Sequence, residues 1–301
     1  MVQTHSVTEP LIICGATCVG KSQTANKIAS ILGGEIVGAD SMQIYKKLNI
    51  GTAKTAPDEM LVPHYMIDII EPNCEYSVAE YRENATKIIA DIQGRTKTPV
   101  IVGGTGLYIN SIIYNYDFNN CARDEKKRAE YSEFLEKNGK QALFELLKVK
   151  DVEAYNRLHI NDTKRIIRAL EIADLGGTTA AKQTLNANYA IIGLNIDRAI
   201  LYEKINKRVE QMFIDGLCEE VKAISDKIGF DVQAMQAIGY KEFKAYFDGQ
   251  YGLVELKELI KQHTRNYAKR QITWFKSLPN IIWCEPKDAV AVALKLYGRE
   301  Q

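Results

Sequence analysis

Residues 15–22 read GATCVGKS and match the phosphate-binding pattern G-x-x-x-x-G-K-S/T without a gap. The apolar, β-branched run Leu11–Cys14 precedes this pattern, and residues with helical spacing, Lys21–Leu32, follow it. A glycine-rich turn between a strand and a helix presents backbone N–H groups, and the positive end of the helix, to an anion. The segment therefore predicts the first strand–loop–helix unit of a parallel sheet, with a phosphate site in its loop.

The residue types in this loop indicate how a phosphorylated ligand is held. Lys21 supplies a point charge, and the hydroxyl of Ser22 is a ligand for Mg²⁺, so we expect Mg²⁺ as the cofactor. By motif the loop is of the ATP-binding type. The pattern alone fits an ATPase, a GTPase, a small-molecule kinase or an enzyme that holds another diphosphate. The residues predicted to surround the diphosphate are Gly15, Ala16, Thr17, Cys18, Val19, Gly20, Lys21 and Ser22.

Strand and helix patterns alternate on both sides of a helical stretch. We predict an α/β fold: a P-loop-type open parallel sheet with flanking helices, formed by residues 1–116 and 189–301 with a helical C-terminal part. Residues 117–188 are predicted to form a helical insertion domain, with short helices at 124–137, 139–148, 151–158 and 161–175. The other predicted strands are Glu35–Ala39, Pro99–Val102, Tyr189–Leu194, Asn280–Cys284 and, more weakly, Met66–Ile70.

The composition is that of a globular protein and restricts its partners. Apolar residues make up 46% and charged residues 26% of the 301 residues, which excludes a disordered or collagen-like chain. No apolar run approaches the length of a membrane span, and the N-terminus lacks an export signal, so we expect a cytoplasmic protein without membrane contact. The six cysteines and four histidines lack the spacing of a zinc site. Because 39 basic and 38 acidic residues nearly cancel, any surface for nucleic acid must come from local clustering of charge.

Asp40 follows the second predicted strand directly. Ligands of open parallel sheets bind outside the carboxyl ends of the strands, so Asp40 is expected near the phosphate loop. It is a candidate general base, a ligand for a magnesium-bound water or an acceptor for a substrate hydrogen bond, and it is equally a candidate cap of the next turn. The glycine turn Gly103–Gly106 follows another predicted strand at the same edge.

Two segments concentrate positive charge. Residues 261–276 read KQHTRNYAKRQITWFK, with five cations, interleaved aromatic residues and no acid. Lys261, Arg265 and Lys269 are spaced four apart and so share one helix face. A second cluster consists of Lys164, Arg165 and Arg168. Cations with aromatic side chains suit contacts to phosphates and stacking on bases, although a solvated basic face is the alternative.

Taken together, these segments resemble the tRNA dimethylallyltransferase family, also called tRNA isopentenyltransferases. The resemblance covers most of the chain, and we expect the compact bacterial form because the sequence contains no zinc-finger segment like that of eukaryotic relatives. The phosphate loop carries Ala16 where the family usually has Pro, and Ser22 where Thr is common; both retain the chemistry. The most specific parts of the resemblance are DSMQIY at 40–45, GTAK at 51–54, GGTGLY at 103–108 and KRQITWF at 269–275.

The resemblance implies a reaction and its substrates. Dimethylallyl diphosphate donates its five-carbon group to the exocyclic N6 amine of the adenine immediately 3′ of the anticodon, in tRNAs that read codons starting with U. In this family the phosphate loop holds the prenyl diphosphate rather than ATP, and the adenine is flipped into a channel. Lys21, Ser22 and Arg208 are expected on the diphosphate, and Asp40 matches the family's proposed base. The substrates are then dimethylallyl diphosphate and the tRNA anticodon stem-loop, and we expect a monomer.

The resemblance also implies where tRNA binds. The family's tRNA-contacting segments correspond here to six parts of the chain, and residues of both basic clusters are among them. The implied tRNA-binding residues are Asp40, Ser41, Met42, Gln43, Thr105, Arg128, Lys164, Arg165, Ile166, Ile167, Arg168, Gln236, Ala237, Ile238, Gly239, Tyr240, Lys241, Lys269, Arg270, Gln271, Trp274 and Lys276.

Three other functions share part of these features. A small-molecule or nucleoside kinase shares the phosphate loop and an acid after the second strand, but it offers no reason for the basic segment 261–276. A prenyltransferase acting on free adenylate would share the core but would not need the helical insertion. A non-catalytic RNA-binding module is disfavoured by Asp40 beside an intact phosphate loop. Transfer of phosphate from ATP would identify the kinase.

Overall fold

A computed structural model of the protein describes residues 5–114, 124–177 and 189–299. The chain divides into two compact units, one formed by Met1–Ile113 with Ala187–Gln301 and the other by Tyr114–Asn186. The domain boundaries predicted at 117 and 188 lie outside the described residues. Among the described helices, none has the length and apolar character needed to cross a bilayer.

The first unit is built on a parallel sheet, which confirms the predicted fold class. Its described strands are β1 (Leu11–Gly15), β2 (Glu35–Gly38), β3 (His64–Tyr65), β4 (Pro99–Gly103), β5 (Ala190–Leu194) and β6 (Ile282–Cys284). They lie in the order β3-β2-β4-β1-β5-β6, and every pairing is parallel. Burial on both faces explains why the central strands are nearly continuous apolar runs.

Helices cover both faces of this sheet. The helices are α1 (Lys21–Leu32), α2 (Val78–Gly94), α3 (Gly106–Ile113), α4 (Glu125–Lys150), α5 (Val152–Arg157), α6 (Thr163–Asp174), α7 (Arg198–Ile214), α8 (Leu217–Ile228), α9 (Phe243–Phe247), α10 (Leu253–Phe275) and α11 (Ala289–Leu296).

The weak strand predicted at Met66–Ile70 is wrong, because the strand β3 lies just before it. Met66 and Asp68 adopt positive φ angles of 62° and 53°, which an extended strand does not allow. Ile70 forms only an isolated bridge with Tyr45. The segment therefore turns away from the sheet and returns to contact the chain that follows Asp40.

The second unit is helical in its described part and has its own core. The predicted break between two helices is confirmed, because α4 contains one non-helical residue, Gly139, at φ 79° and ψ 173°. Leu143, Leu147, Ile166 and Leu170 are buried together between α4 and α6. These helices therefore pack on one another without needing the sheet for a hydrophobic core.

Candidate functional site

Three loops meet at the carboxyl edge of the sheet because β2, β4 and β1 are neighbours. The phosphate loop follows β1, Asp40 follows β2, and Gly103–Gly106 follows β4. A side chain at Gly103 would place its Cβ 2.0 Å from the carbonyl oxygen of Ala39, so only glycine permits this approach. Thr105 accepts a hydrogen bond from the amide of Ser41 at 2.9 Å. The sheet order thus positions Asp40 beside the phosphate loop, as predicted.

The phosphate loop is held by side chains from two helices of the C-terminal part. Arg208 Nη1, on α7, donates to Thr17 Oγ1 at 3.1 Å. Gln271 Oε1, on α10, accepts from the Thr17 amide at 2.8 Å, and Gln271 Nε2 donates to the carbonyl oxygen of Gly104 at 2.9 Å. Gln271 is buried, so it fixes two glycine-containing loops to each other rather than presenting a surface.

The charge on Lys21 is sensitive to what occupies the loop. Its ammonium donates to the carbonyl oxygen of Ala16 at 2.7 Å. Burial lowers the pKa of Lys21 to about 8; the charges of Asp40 and Cys18 oppose this shift, and Arg208 adds to it. A bound diphosphate would add negative charge and favour the protonated lysine again.

This pKa predicts how binding of a simple alkyl diphosphate changes with pH. Below pH 8 Lys21 is already charged, whereas above pH 8 it must take up a proton when the anion binds. Without Mg²⁺, we expect the Kd for methyl diphosphate to rise up to about tenfold per pH unit from pH 8 to 10. Titration calorimetry at several pH values measures this. Lys21→Ala, which keeps Cys18 and Arg208, should bind more weakly at every pH, without this rise. A rise of equal steepness in that variant would show that another group titrates.

Asp40 both caps a turn and faces the cavity, so the two alternatives left open by the sequence are compatible. Its Oδ1 accepts from the amides of Met42 at 2.9 Å and Gln43 at 3.4 Å. Asp40 itself lines the cavity that contains Lys21 and Ser22. One carboxylate oxygen orients the turn, which leaves the other available to a ligand.

The cavity has a volume of about 530 Å³, within the range of small-molecule sites. It brings together residues from five separated segments that the sequence singled out. The predicted residues that line it are Thr17, Cys18, Gly20, Lys21, Ser22, Asp40, Ser41, Met42, Gln43, Arg208, Gln236, Ala237, Ile238, Gly239, Lys241 and Arg270.

An apolar wall of the cavity was not found from the sequence. Ile205, Val209 and Met212 line the cavity from α7, beside Arg208. Ile260 lines it from α10. Their spacing on α7, four and then three residues apart, resembles ordinary core-facing spacing, so the helical pattern alone could not separate them from the core. The cavity thus combines a cationic end, formed by the phosphate loop and Arg208, with an apolar wall whose chemistry suits a short hydrocarbon.

The donor set around Ser22 fits a magnesium ion that is partly held by a ligand. Ser22 and Asp40 place hard oxygen donors on the cavity wall. In the described part of the chain, no three His, Cys, Asp or Glu side chains converge on a common point. Mg²⁺ is commonly bound by one or two protein oxygens together with substrate phosphates and water, so these residues suit it when a diphosphate is present.

The basic segment is less exposed than its sequence suggested. Lys261 is ion-paired with Glu210 and Glu258, both at 2.6 Å, and Arg265 donates to Asn206 at 2.7 Å. The expectation of one free basic face through Lys261, Arg265 and Lys269 is therefore wrong at its first two positions. Two of these partners, Glu210 and Asn206, lie on α7, far away in sequence; Glu210 neutralises Lys261 and Asn206 occupies Arg265. Lys269, Arg270 and Lys276 remain exposed.

Three other residues implied to bind tRNA have side chains that contact other parts of the protein. Tyr240 is fully buried, and Trp274 covers Gly106 while its Nε1 donates to Asn110 Oδ1 at 3.4 Å. Like Gln271, the Tyr240 side chain can act on a ligand only by positioning other groups. Thr105 acts on Ser41 through the hydrogen bond already described.

In the helical unit, buried Glu171 organises part of the predicted cluster. Arg128 Nε and Arg168 Nη1 contact its carboxylate at 2.8 and 2.7 Å. Burial alone would raise the pKa of Glu171, but these arginines and the Asp124 amide lower it overall. Ile166 is buried and Ile167 packs against the core, so neither side chain presents a polar surface. Lys164 and Arg165 are exposed.

Comparisons with known proteins agree along nearly the whole chain. Residues 43–278 match the family model described as IPP transferase. A tRNA dimethylallyltransferase from Geobacillus thermodenitrificans is 44% identical over 293 residues, covering 95% of this chain and 93% of that protein. The crystal structure of a tRNA isopentenylpyrophosphate transferase from Bacillus halodurans has a TM-score of 0.74 at 40% identity, covering 97% of this chain and 96% of its own. A eukaryotic dimethylallyltransferase described as acting on tRNA has a TM-score of 0.80 at 27% identity, covering 92% of this chain and 73% of its own.

Proposed function

Because the chain belongs to the tRNA dimethylallyltransferase family, we propose that it transfers the dimethylallyl group from dimethylallyl diphosphate to tRNA. The acceptor is the exocyclic N6 amine of the adenine immediately 3′ of the anticodon, in tRNAs that read codons starting with U. The observation that carries this proposal is a single cavity in which a phosphate loop, an apolar wall and the carboxylate of Asp40 all face a common space. We further propose that the enzyme acts as a monomer in the cytoplasm.

The leaving group requires charge neutralisation more than covalent help. As the bond between C1 of the prenyl group and the diphosphate oxygen breaks, negative charge develops on the diphosphate. Lys21 and Arg208 supply two positive charges there, and the N-terminus of α1 adds its dipole. Mg²⁺, held by Ser22 and the phosphate oxygens, would neutralise further charge when bound.

The acceptor amine needs a group that takes its proton. The adenine nitrogen forms a bond to C1, and it must lose one proton to give the neutral product. Asp40 lines the cavity, and one of its carboxylate oxygens already accepts a hydrogen bond from the amide of Met42. We propose that the other oxygen orients the amine and accepts this proton.

The activity is tested by incubating the enzyme with labelled dimethylallyl diphosphate, Mg²⁺ and bulk tRNA, followed by nucleoside analysis. The expected product is N6-dimethylallyladenosine, with release of diphosphate. Parallel reactions with AMP as acceptor, and with ATP in place of the prenyl donor, test the two rival activities. Label in AMP but not in tRNA would favour the adenylate prenyltransferase, and phosphate transfer from ATP would favour a kinase.

We propose that the exposed cations of α10 and of the helical unit bind the tRNA backbone. The described residues that remain exposed for this role are Lys164, Arg165, Lys241, Lys269, Arg270 and Lys276. Flipping a base out of its stack costs a few kcal/mol, which contacts to the neighbouring backbone must offset. Arg270 combines both features, since it is exposed on α10 and also lines the cavity.

Removing two of these charges should reduce the salt dependence of tRNA binding. Each neutralised phosphate contributes about 0.7–0.9 to the slope of log K against log salt concentration. We therefore expect the double variant Lys269→Ala with Arg270→Ala to weaken tRNA binding and to flatten this slope by about one to two units. Filter binding between about 50 and 200 mM salt measures both quantities.

The matched control removes two exposed cations elsewhere. Lys87 and Lys222 each form a surface ion pair with a residue four positions away on their own helix. Replacing both by Ala changes the net charge by the same amount as the double variant at positions 269 and 270. This control should keep the wild-type slope. If both double variants change the slope by the same amount, net charge rather than a tRNA-binding surface explains the effect.

A further inference from the structure

The carboxylate of Glu220 accepts hydrogen bonds from three consecutive backbone amides of a distant loop. Glu220 lies in the first turn of α8, whereas the amides belong to Asn49, Ile50 and Gly51. Its Oε2 is 2.9 Å from the nitrogens of Asn49 and Ile50, and its Oε1 is 3.2 Å from that of Gly51. Successive N–H groups that converge in this way form an anion-binding concavity, which this chain fills with its own side chain.

The same carboxylate also holds a third segment. The hydroxyl of Tyr240 donates to Glu220 Oε1 at 2.6 Å. Burial raises the pKa of Tyr240, so the phenol remains a donor. A Cβ at Gly51 would lie 2.3 Å from the Tyr240 ring, so the two segments are in direct contact as well. Glu220 therefore joins the loop at 49–51 to the segment that contains Tyr240.

Both segments continue into the wall of the cavity, although Glu220 itself does not line it. Gly51, Thr52 and Ala53 line the cavity on one side of this junction, and residues 236–239 line it on the other. The loop in turn holds Gln43, whose Nε2 donates to the carbonyl oxygen of Thr52 at 3.0 Å. A hydrogen-bonded path thus leads from Glu220 to Gln43, three residues from Asp40.

Glu220 makes no such connection to the phosphate loop in the described structure, where Thr17 is held instead by Arg208 and Gln271. The two ends of the cavity therefore have separate supports. Loss of Glu220 would leave three amides and one phenol without their common hydrogen-bond acceptor. Because unsatisfied polar groups cost free energy, the segments that carry these groups would be destabilised in their present conformation.

We propose that Glu220 is a positioning residue for the tRNA substrate. It fixes the cavity wall formed by residues 51–53 and 236–239, together with Gln43, in the arrangement that receives the tRNA. This inference rests on the proposed function. It assigns to Glu220 an effect on the tRNA substrate that is separate from the binding of the prenyl donor.

Steady-state kinetics and binding of Glu220→Ala test the proposal. We expect the KM for tRNA to rise about tenfold and kcat to change less than about threefold, because ground-state and transition-state binding of tRNA weaken together. The Kd for dimethylallyl diphosphate, measured by calorimetry, should stay within about twofold of wild type. Glu220→Gln keeps one acceptor oxygen but sets its amide NH2 against the donors of the other, so its KM for tRNA should lie between those of Glu220→Ala and wild type. Glu219→Ala, an exposed neighbour on the same helix, is the control and should match wild type.

Amide hydrogen exchange provides a readout that does not depend on turnover. In Glu220→Ala, exchange should become faster in the peptides covering 46–55 and 236–241 while remaining unchanged in the phosphate loop. Unchanged exchange in both peptides, or an equal loss of affinity for dimethylallyl diphosphate and tRNA, would overturn the assignment of Glu220. A wild-type enzyme that fails to prenylate tRNA would overturn the proposed function instead, and faster exchange in the variant would still support the junction.

Discussion

Replacing Asp40 by Asn should reduce kcat by about 10²–10⁴-fold, the range associated with loss of a general base. The substitution suits the structure because Asp40 Oδ1 accepts hydrogen bonds from Met42 and Gln43, and an amide oxygen can accept both. The turn should therefore persist while the negative charge is lost. Single-turnover prenylation of a tRNA anticodon stem-loop measures the chemical step, and gel-shift titration measures tRNA binding.

The informative comparison is between the rate and tRNA affinity of the same variant. We expect Asp40→Asn to bind tRNA within a few-fold of wild type. Ser41→Ala, at the next position along the same loop, removes a hydroxyl rather than a charge and should retain most of kcat. An equal loss of tRNA binding and kcat in Asp40→Asn would identify Asp40 as a binding or structural residue instead of a base.

Replacing Lys21 by Ala should lower kcat/KM for dimethylallyl diphosphate by about 10²-fold, equivalent to about 3 kcal/mol of transition-state stabilisation. The ammonium faces the cavity, and it is the charge within the phosphate loop itself. Charges interact more strongly in a site of low dielectric constant, so loss of this ammonium leaves the negative charge that develops on the diphosphate less well stabilised. The measurement is initial-rate kinetics at saturating Mg²⁺ and tRNA.

A charge-matched variant on the same helix controls for loss of helix stability. Lys27→Ala removes an exposed lysine of α1 that does not line the cavity, and it should keep wild-type kinetics. The unfolding midpoints of both variants should be compared, because Lys21 also donates to Ala16. Wild-type turnover in Lys21→Ala would show that the phosphate loop does not hold the prenyl diphosphate.

Local patterns were sufficient to predict most of the fold. The strand–loop–helix unit around Gly15–Ser22 has strong apolar runs and a specific glycine pattern, and its predicted strands occur in the sheet. Met66–Ile70 was wrong because periodicity reports apolar character, whereas positive φ angles at Met66 and Asp68 depend on the contacts that the segment makes after it leaves β3. The strand order could not be deduced from the sequence, since it depends on pairing between distant segments.

The candidate site was predicted best where the residue type determines the chemistry. Lys21, Ser22 and Asp40 face the cavity as expected, because loop and strand ends determine their positions. The interpretation of positive charge was less accurate. Lys261 and Arg168 have acidic partners, Glu210 and Glu171, and charge counted along a segment does not include neutralisation across space. Gln271 lay within the basic segment, yet its burial between two loops makes it a support for the phosphate loop.

The hydrogen bonds of Gln271 restrict where residues can be inserted into or deleted from α10. One face of α10 supplies Ile260, Thr264 and Tyr267 to the cavity, and Gln271 joins Thr17 to Gly104 in the next turns. Insertion or deletion of one residue between positions 260 and 271 would rotate one end of this face by about 100° relative to the other. No single side-chain replacement could restore both ends. Point substitutions at exposed positions of α10 other than the proposed tRNA-binding residues Lys269 and Arg270 are therefore compatible with a working site, whereas length variation must fall before Ile260 or after the helix ends.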